Sequence, residues 1–254
     1  MSAFSYVLRR RKQKGERNAV DVRPVGLSGY GIGRDKEGHM NKGAIFDIDG
    51  TLIDSMPIWD DAAERWLRSI GVQAEAGLGQ ILFRMSLDEG AAYLKRTYTP
   101  DLSEQVIKDG VLGVIRDFYV QEVKAKPGAG TFLAQMEKAG IPMYLATSSN
   151  RAHVQAALER LGLYRYFAGM ITCEEAGASK SDPRIFLAAA KALGKDPGDV
   201  YVFEDVIHAV RAANSAGFVT VGVYDAASDA DNAAMRAECS IYLHSLEDFD
   251  RFRA

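Results

Sequence analysis

Phe46-Asp47-Ile48-Asp49-Gly50-Thr51 follows directly on Ala44 and Ile45. A short apolar run that ends in acids and a glycine reads as a buried strand whose C-terminal end carries chemistry. Asp47 and Asp49 stand two apart in extended chain, so their side chains share a direction. Two carboxylates in a confined site repel unless a cation or a proton separates them. Mg²⁺, a hard ion that takes oxygen ligands, is one answer. Such a pair can also divide the labour of phosphoryl transfer. One carboxylate attacks phosphorus, and the other protonates the leaving oxygen and later takes a proton from water. Gly50 lets the backbone turn tightly behind them.

Beyond this strand the character is helical. Ile58, Ala62, Trp66 and Ile70 recur every four residues among charged neighbours, and Gly71 ends that helix. Two further helices are expected, over about 78–96 and 102–123, separated by Pro100 and Asp101. Residues 55–124 therefore read as a helical insertion, a candidate cap. From Pro127 the pattern alternates. Helices are expected over 131–139, 151–161, 183–193 and 207–216, and strands over 142–146, 169–172, 200–203 and 219–223. Strand–helix alternation implies right-handed crossovers and a doubly wound parallel sheet, Rossmann-like, with helices on both faces. The expected division is residues 41–54 and 125–254 as an α/β core and residues 55–124 as the helical cap.

In open α/β sheets, ligands bind outside the carboxyl ends of the strands. Asp47/Asp49, Thr147/Ser148 and Glu204/Asp205 all fall at such ends. Thr147 and Ser148 offer hydroxyls and backbone N–H groups where a helix begins, which suits phosphate. Lys180, just before a helix, could place a point charge on the phosphate and between the carboxylates.

Asp47-Ile48-Asp49-Gly50-Thr51, Thr147, Lys180 in Lys180-Ser181-Asp182-Pro183-Arg184-Ile185-Phe186, and Glu204-Asp205 resemble, in order, the four motifs of the haloacid dehalogenase superfamily. The helical insertion between the first two resembles the small α-helical cap of the phosphoglycolate phosphatase and β-phosphoglucomutase subfamily. The resemblance implies that Asp47 is the nucleophile and a Mg²⁺ ligand. Asp49 is then the acid/base and lends its backbone carbonyl to the metal. Thr147 and Lys180 then hold the phosphate, and Asp205, helped by Glu204, completes the metal site; Ser148 stays a phosphate candidate from its place at the helix start. An acid at position 49 favours phosphate esters over halide or phosphonate chemistry. Arg84 is the cap residue expected to touch substrate. Leu87 aligns with the arginine by which β-phosphoglucomutase grips its second phosphate, which weakens the mutase alternative. Val206 and Ala209 depart from the common Glu-Asp-Ser and glycine of the fourth motif, and Ser181 replaces a frequent proline.

The implied activity is Mg²⁺-dependent hydrolysis of a small phosphorylated metabolite, such as a sugar phosphate, through an aspartyl-phosphate on Asp47. The alternatives are a sugar phosphomutase using the same intermediate and a non-catalytic binding module. The chain has 254 residues and a net charge of −3, which points to no nucleic-acid partner. No apolar run reaches membrane-span length. Cys173 and Cys239 are far apart and read as free thiols in a reducing cytoplasm. The expected state is a monomer or small homo-oligomer. Residues 1–40, with Arg9, Arg10, Arg11, Lys12 and Lys14, read as a disordered tail or a non-native extension ahead of a start at Met40. His153 and His208 read as packing or surface residues.

Overall fold

A computed structural model of the chain describes residues 42–82 and 85–253. The basic N-terminal segment and Arg84 lie outside the described residues. The chain divides into two compact units. One is Ser55–Val123; the other comprises the described residues up to Asp54 together with those from Lys124 onward.

The second unit is built on six strands: β1 (Gly43–Phe46), β2 (Met143–Thr147), β3 (Phe167–Thr172), β4 (Val200–Glu204), β5 (Val219–Val223) and β6 (Ile241–Leu243). They pair in the order β3-β2-β1-β4-β5-β6, every neighbour parallel. The chain runs β1 to β2 to β3 on one side, then crosses back to place β4 on the other flank of β1. The crevice of such a reversal opens at the carboxyl ends of β1 and β4.

Alternation along the strands fills two cores. On one face, Ile45, Val202 and Ala146 pack with Ile185, Phe186 and Ala189 and with Ala209, Ala212 and Ala213. On the other, Phe46 and Phe203 stack with ring centroids 4.1 Å apart, and Phe132, Phe249 and Phe252 close over them. Strand β3 starts two residues before its expected position, at Phe167, whose ring meets Phe46 edge-on at 5.9 Å. Strand β6 and the helices after residue 224 had no sequence expectation. A three-residue strand leaves too short an apolar run to read.

The helical unit contains α1 (Ile58–Ser69), α2 (Leu78–Leu82), α3 (Leu87–Thr97) and α4 (Glu104–Asp117), the last running into a π-helical turn, Phe118–Glu122. Ile58, Ala62, Trp66 and Leu67 form the buried stripe of α1. Gly110 lets α4 lie against α1, since a Cβ there would stand 2.6 Å from Cδ1 of Trp66. The single helix expected over 78–96 is interrupted. Ser86 adopts an extended backbone (φ −67°, ψ 164°) and starts a new helix. Its Oγ accepts from the N–H of Glu89 at 3.2 Å, and its own N–H donates to Glu89 Oε2 at 2.7 Å. This reciprocal capping box satisfies two N-terminal donors at once, which makes a fresh start at Leu87 cheaper than continuity.

Remaining helices of the α/β unit are α5 (Ala129–Lys138), α6 (Arg151–Arg160), α7 (Cys173–Ala176), α8 (Arg184–Ala192), α9 (Ile207–Ser215), α10 (Asn232–Glu238) and α11 (Phe249–Arg253).

Candidate active site

Three acids meet at the ends of β1 and β4. Carboxylate oxygens of Asp47, Glu204 and Asp205 all lie within 4.8 Å of one another, and all three residues are buried. The backbone sets this up, because the Asp47 N–H donates to Phe203 O at 3.0 Å and so carries the β1–β4 pairing one residue past the strand. Gly50, at φ +81°, then turns the chain. Its hydrogen faces Asp205; a Cβ would stand 2.5 Å from Asp205 Oδ2 and 2.9 Å from Cγ. No side chain fits there, and the positive φ independently favours glycine.

Lys180 enters the cluster from the segment before α8. Its Nζ donates to Asp47 Oδ1 and pairs with Glu204 Oε1 at 2.7 Å. Thr51 Oγ1 donates to the other Asp47 oxygen at 3.3 Å. Glu204 Oε2 is buried with no hydrogen-bond donor among the described residues. A buried carboxylate oxygen without a donor is costly, and a cation is the usual partner for such a group.

The charges explain one another. Burial pushes the Asp47 carboxyl up, opposed by the Lys180 ammonium. Burial likewise drives Glu204 and Asp205 well above the ordinary carboxylate range, Asp47 adding repulsion to each. For Lys180 burial alone would favour the neutral amine, but Asp47 and Glu204 together outweigh it and hold the ammonium firmly charged. When ionised, three acids around one lysine carry excess negative charge, and a hard divalent cation with oxygen ligands would neutralise it.

Thr147, at the end of β2, is fully buried, and its Oγ1 accepts from the Ser149 N–H at 3.0 Å. The N-cap of α6 is Asn150, whose Oδ1 accepts from Ala152 and His153; Thr147 is not used as that cap. Ser148 Oγ stands 3.3 Å from Cys173 Sγ. The Asp49 carboxylate is not among the three clustered acids. Its Oδ2 accepts from Ser149 Oγ at 2.6 Å, so any metal role for Asp49 rests on its backbone carbonyl.

Sequence reading left out several residues that touch this site. Ser149 follows the two residues expected to hold phosphate, and its hydroxyl holds Asp49. Val206 brings no hydroxyl beside Asp205, but Ser228 Oγ reaches Asp205 Oδ2 from beyond β5 at 3.2 Å. Lys126 binds Gly50 O from the segment returning from the helical unit. Thr51 alone carried a signal, as part of the quoted motif. His153 and His208 are half-buried on α6 and α9, and burial lowers the His208 pKa.

The family model for haloacid dehalogenase-like hydrolases matches residues 41–217. Hexitol phosphatase A of Escherichia coli (strain K12) is 29% identical over 206 residues, 81% of this chain and 92% of that protein. The phosphorylated carbohydrates phosphatase of Thermotoga maritima is 30% identical over 186 residues, 73% of this chain and 86% of that protein. Among solved structures, that of a "putative beta-phosphoglucomutase" from Thermotoga maritima aligns with a TM-score of 0.75 at 28% identity, covering 84% of this chain and 98% of the other.

Proposed function

The chain belongs to the haloacid dehalogenase-like hydrolases, and from that premise we propose that it is a cytoplasmic Mg²⁺-dependent phosphatase acting on a small phosphate monoester of the sugar-phosphate kind. The carrying observation is the buried cluster of Asp47, Lys180, Glu204 and Asp205, with Asp49 held beside it by Ser149. The substrate class is supported by the hexitol and carbohydrate phosphatases among the relatives. Two free cysteines accord with a reducing compartment.

In this reading an Asp47 oxygen attacks phosphorus as the bond to the leaving oxygen breaks, giving an aspartyl-phosphate. Asp49 passes its proton to the departing alkoxide. It then takes a proton from the water that cleaves the aspartyl-phosphate, returning Asp47 as a carboxylate and releasing inorganic phosphate. Lys180 and Thr51 fix the Asp47 carboxylate, and Thr147, Ser148 and Lys180 hold the phosphate oxygens. Asp47, Glu204, Asp205 and the Asp49 carbonyl would hold Mg²⁺, which when bound supplies positive charge to the phosphate. The helical unit is inserted in the chain between Asp54 and Lys124. We assign it the role of a cap that selects substrate, with Arg84 as a contact.

The likeness to a β-phosphoglucomutase-type structure favours one second reading, a sugar phosphomutase, in which the aspartyl-phosphate passes to a sugar hydroxyl. Leu87, where the mutase arginine is expected, is buried and apolar, which speaks for the hydrolase. A screen of phosphorylated metabolites with Mg²⁺ is expected to release inorganic phosphate from at least one hexose or hexitol phosphate. Conversion of glucose 1-phosphate to glucose 6-phosphate without free phosphate would replace the hydrolase by the mutase.

The buried acids also fix a pH dependence. Their folded pKa values are raised, so the metal-free folded protein binds more protons than the unfolded chain. The stability these groups contribute is present below the ordinary carboxylate range and is lost as pH rises through the raised folded values. Mg²⁺ competes with those protons. The rise in Tm on adding Mg²⁺ is therefore expected to be larger at about pH 8 than at about pH 5. Equal shifts at the two pH values would mean the cluster does not bind the ion.

A further inference from the structure

We propose that Lys126 is a positioning residue for the cation site: its ammonium ties the turn carrying Asp47 and Asp49 to the segment after β5, and so sets the geometry in which the acids receive a divalent ion. This rests on reading Asp47, Glu204 and Asp205 as metal ligands.

Lys126 Nζ lies 2.9 Å from Gly50 O, 2.8 Å from Tyr224 O and 2.7 Å from Asp225 Oδ2. An ammonium has three donors, and all three are engaged. The side chains of Lys126 and Asp225 are only 15% and 7% exposed, so the pair is a fixed device rather than a surface ion pair. The base of the lysine is anchored too, because its N–H donates to Leu52 O at 2.9 Å.

Two arms run from this clamp to the acids. On the first, the held carbonyl of Gly50 precedes Thr51, whose hydroxyl donates to Asp47, and Gly50 itself packs on the Asp205 carboxylate. On the second, Asp225 Oδ1 accepts from the Ala227 N–H at 2.9 Å and Asp225 O from the Ser228 N–H at 3.1 Å. Ser228 then donates to Asp205 Oδ2. Lys126 thus braces both a β1-end acid and a β4-end acid through the residues between them. Partners that orient ligating carboxylates typically set metal affinity by about 10- to 100-fold.

The test is calorimetric titration of Mg²⁺ into full-length protein: wild type, Lys126→Met, and Lys126→Met with Asp225→Asn. Thermal unfolding is followed without metal. The single variant leaves the buried Asp225 charge without its counter-ion, and its Tm falls. The double variant removes that charge and regains Tm, but Gly50 O stays unclamped. Its Mg²⁺ Kd is expected to remain at least about tenfold weaker than wild type. A double variant that binds Mg²⁺ as tightly as wild type would overturn the clamp and leave Lys126 a plain structural ion pair. Wild-type protein that binds no Mg²⁺ at all would overturn the metal reading, and the clamp with it.

Discussion

Asp47→Asn is expected to lower phosphate release by at least about 10⁴-fold, the scale seen when a covalent nucleophile is removed. An amide has the shape of the carboxylate but cannot attack phosphorus, so the loss falls on kcat rather than on substrate binding. The fold should survive. Lys180 keeps Glu204 as its partner at 2.7 Å. Burial already disfavours the Asp47 charge, so removing it relieves repulsion on Glu204 and Asp205. The Tm of the metal-free variant is therefore expected at or above that of wild type. Steady-state phosphate release, with acid-quenched trapping of the phosphoenzyme in wild type and variant, measures both sides. A variant that retained a tenth of the activity, or still carried the phosphoryl group, would move the nucleophile elsewhere.

The parts of this site that sequence revealed are those tied to a strand end. Phe46-Asp47, Ala146-Thr147 and Phe203-Glu204 each couple an apolar run to a polar stop. In a parallel sheet, register then brings those stops to one edge. Topology made three distant segments neighbours, and alternation alone was enough to foresee it. Lys180 needed the ordered motif set, because a lone lysine before a helix carries no signal of its own.

Lys126, Ser149 and Ser228 were not legible, for a different reason. Each acts through a bond whose partner lies in a turn or a distant segment: Gly50 O, Asp49 and Asp205. Nothing in hydrophobic period or local propensity encodes such a pairing. The same holds for the break before α3. The 3.6-residue pattern runs through 78–96, but the Ser86–Glu89 capping box wins locally, and periodicity does not weigh caps.

Lys180→Met is expected to be the most destabilising change at the site. The lysine is the cation that the structure places between Asp47 and Glu204, and its own charge is held firmly by both. Methionine keeps most of the stem volume, so packing changes little and electrostatics decides. Breaking a buried ion pair by removing one partner costs about 3–5 kcal/mol, because the remaining charge has neither water nor a counter-ion. Here three acids are left facing one another. They can respond by taking up protons, which gives the variant a signature. With Lys180 gone, the folded pKa values of Glu204 and Asp205 rise further, and the folded state gains protons relative to the unfolded one. Stability of the metal-free variant should then climb as pH falls from about 8 to about 5, more steeply than in wild type. Mg²⁺, the other cation available to the cluster, should recover part of the loss at neutral pH. Turnover should fall by about 10²–10³-fold even where the variant is folded, since a positioned charge on the phosphate is gone. Urea unfolding at the two pH values, with and without Mg²⁺, separates these effects. A metal-free Lys180→Met as stable as wild type at neutral pH would show that the acids are already protonated there. The cluster would then hold no excess negative charge for a divalent ion to neutralise.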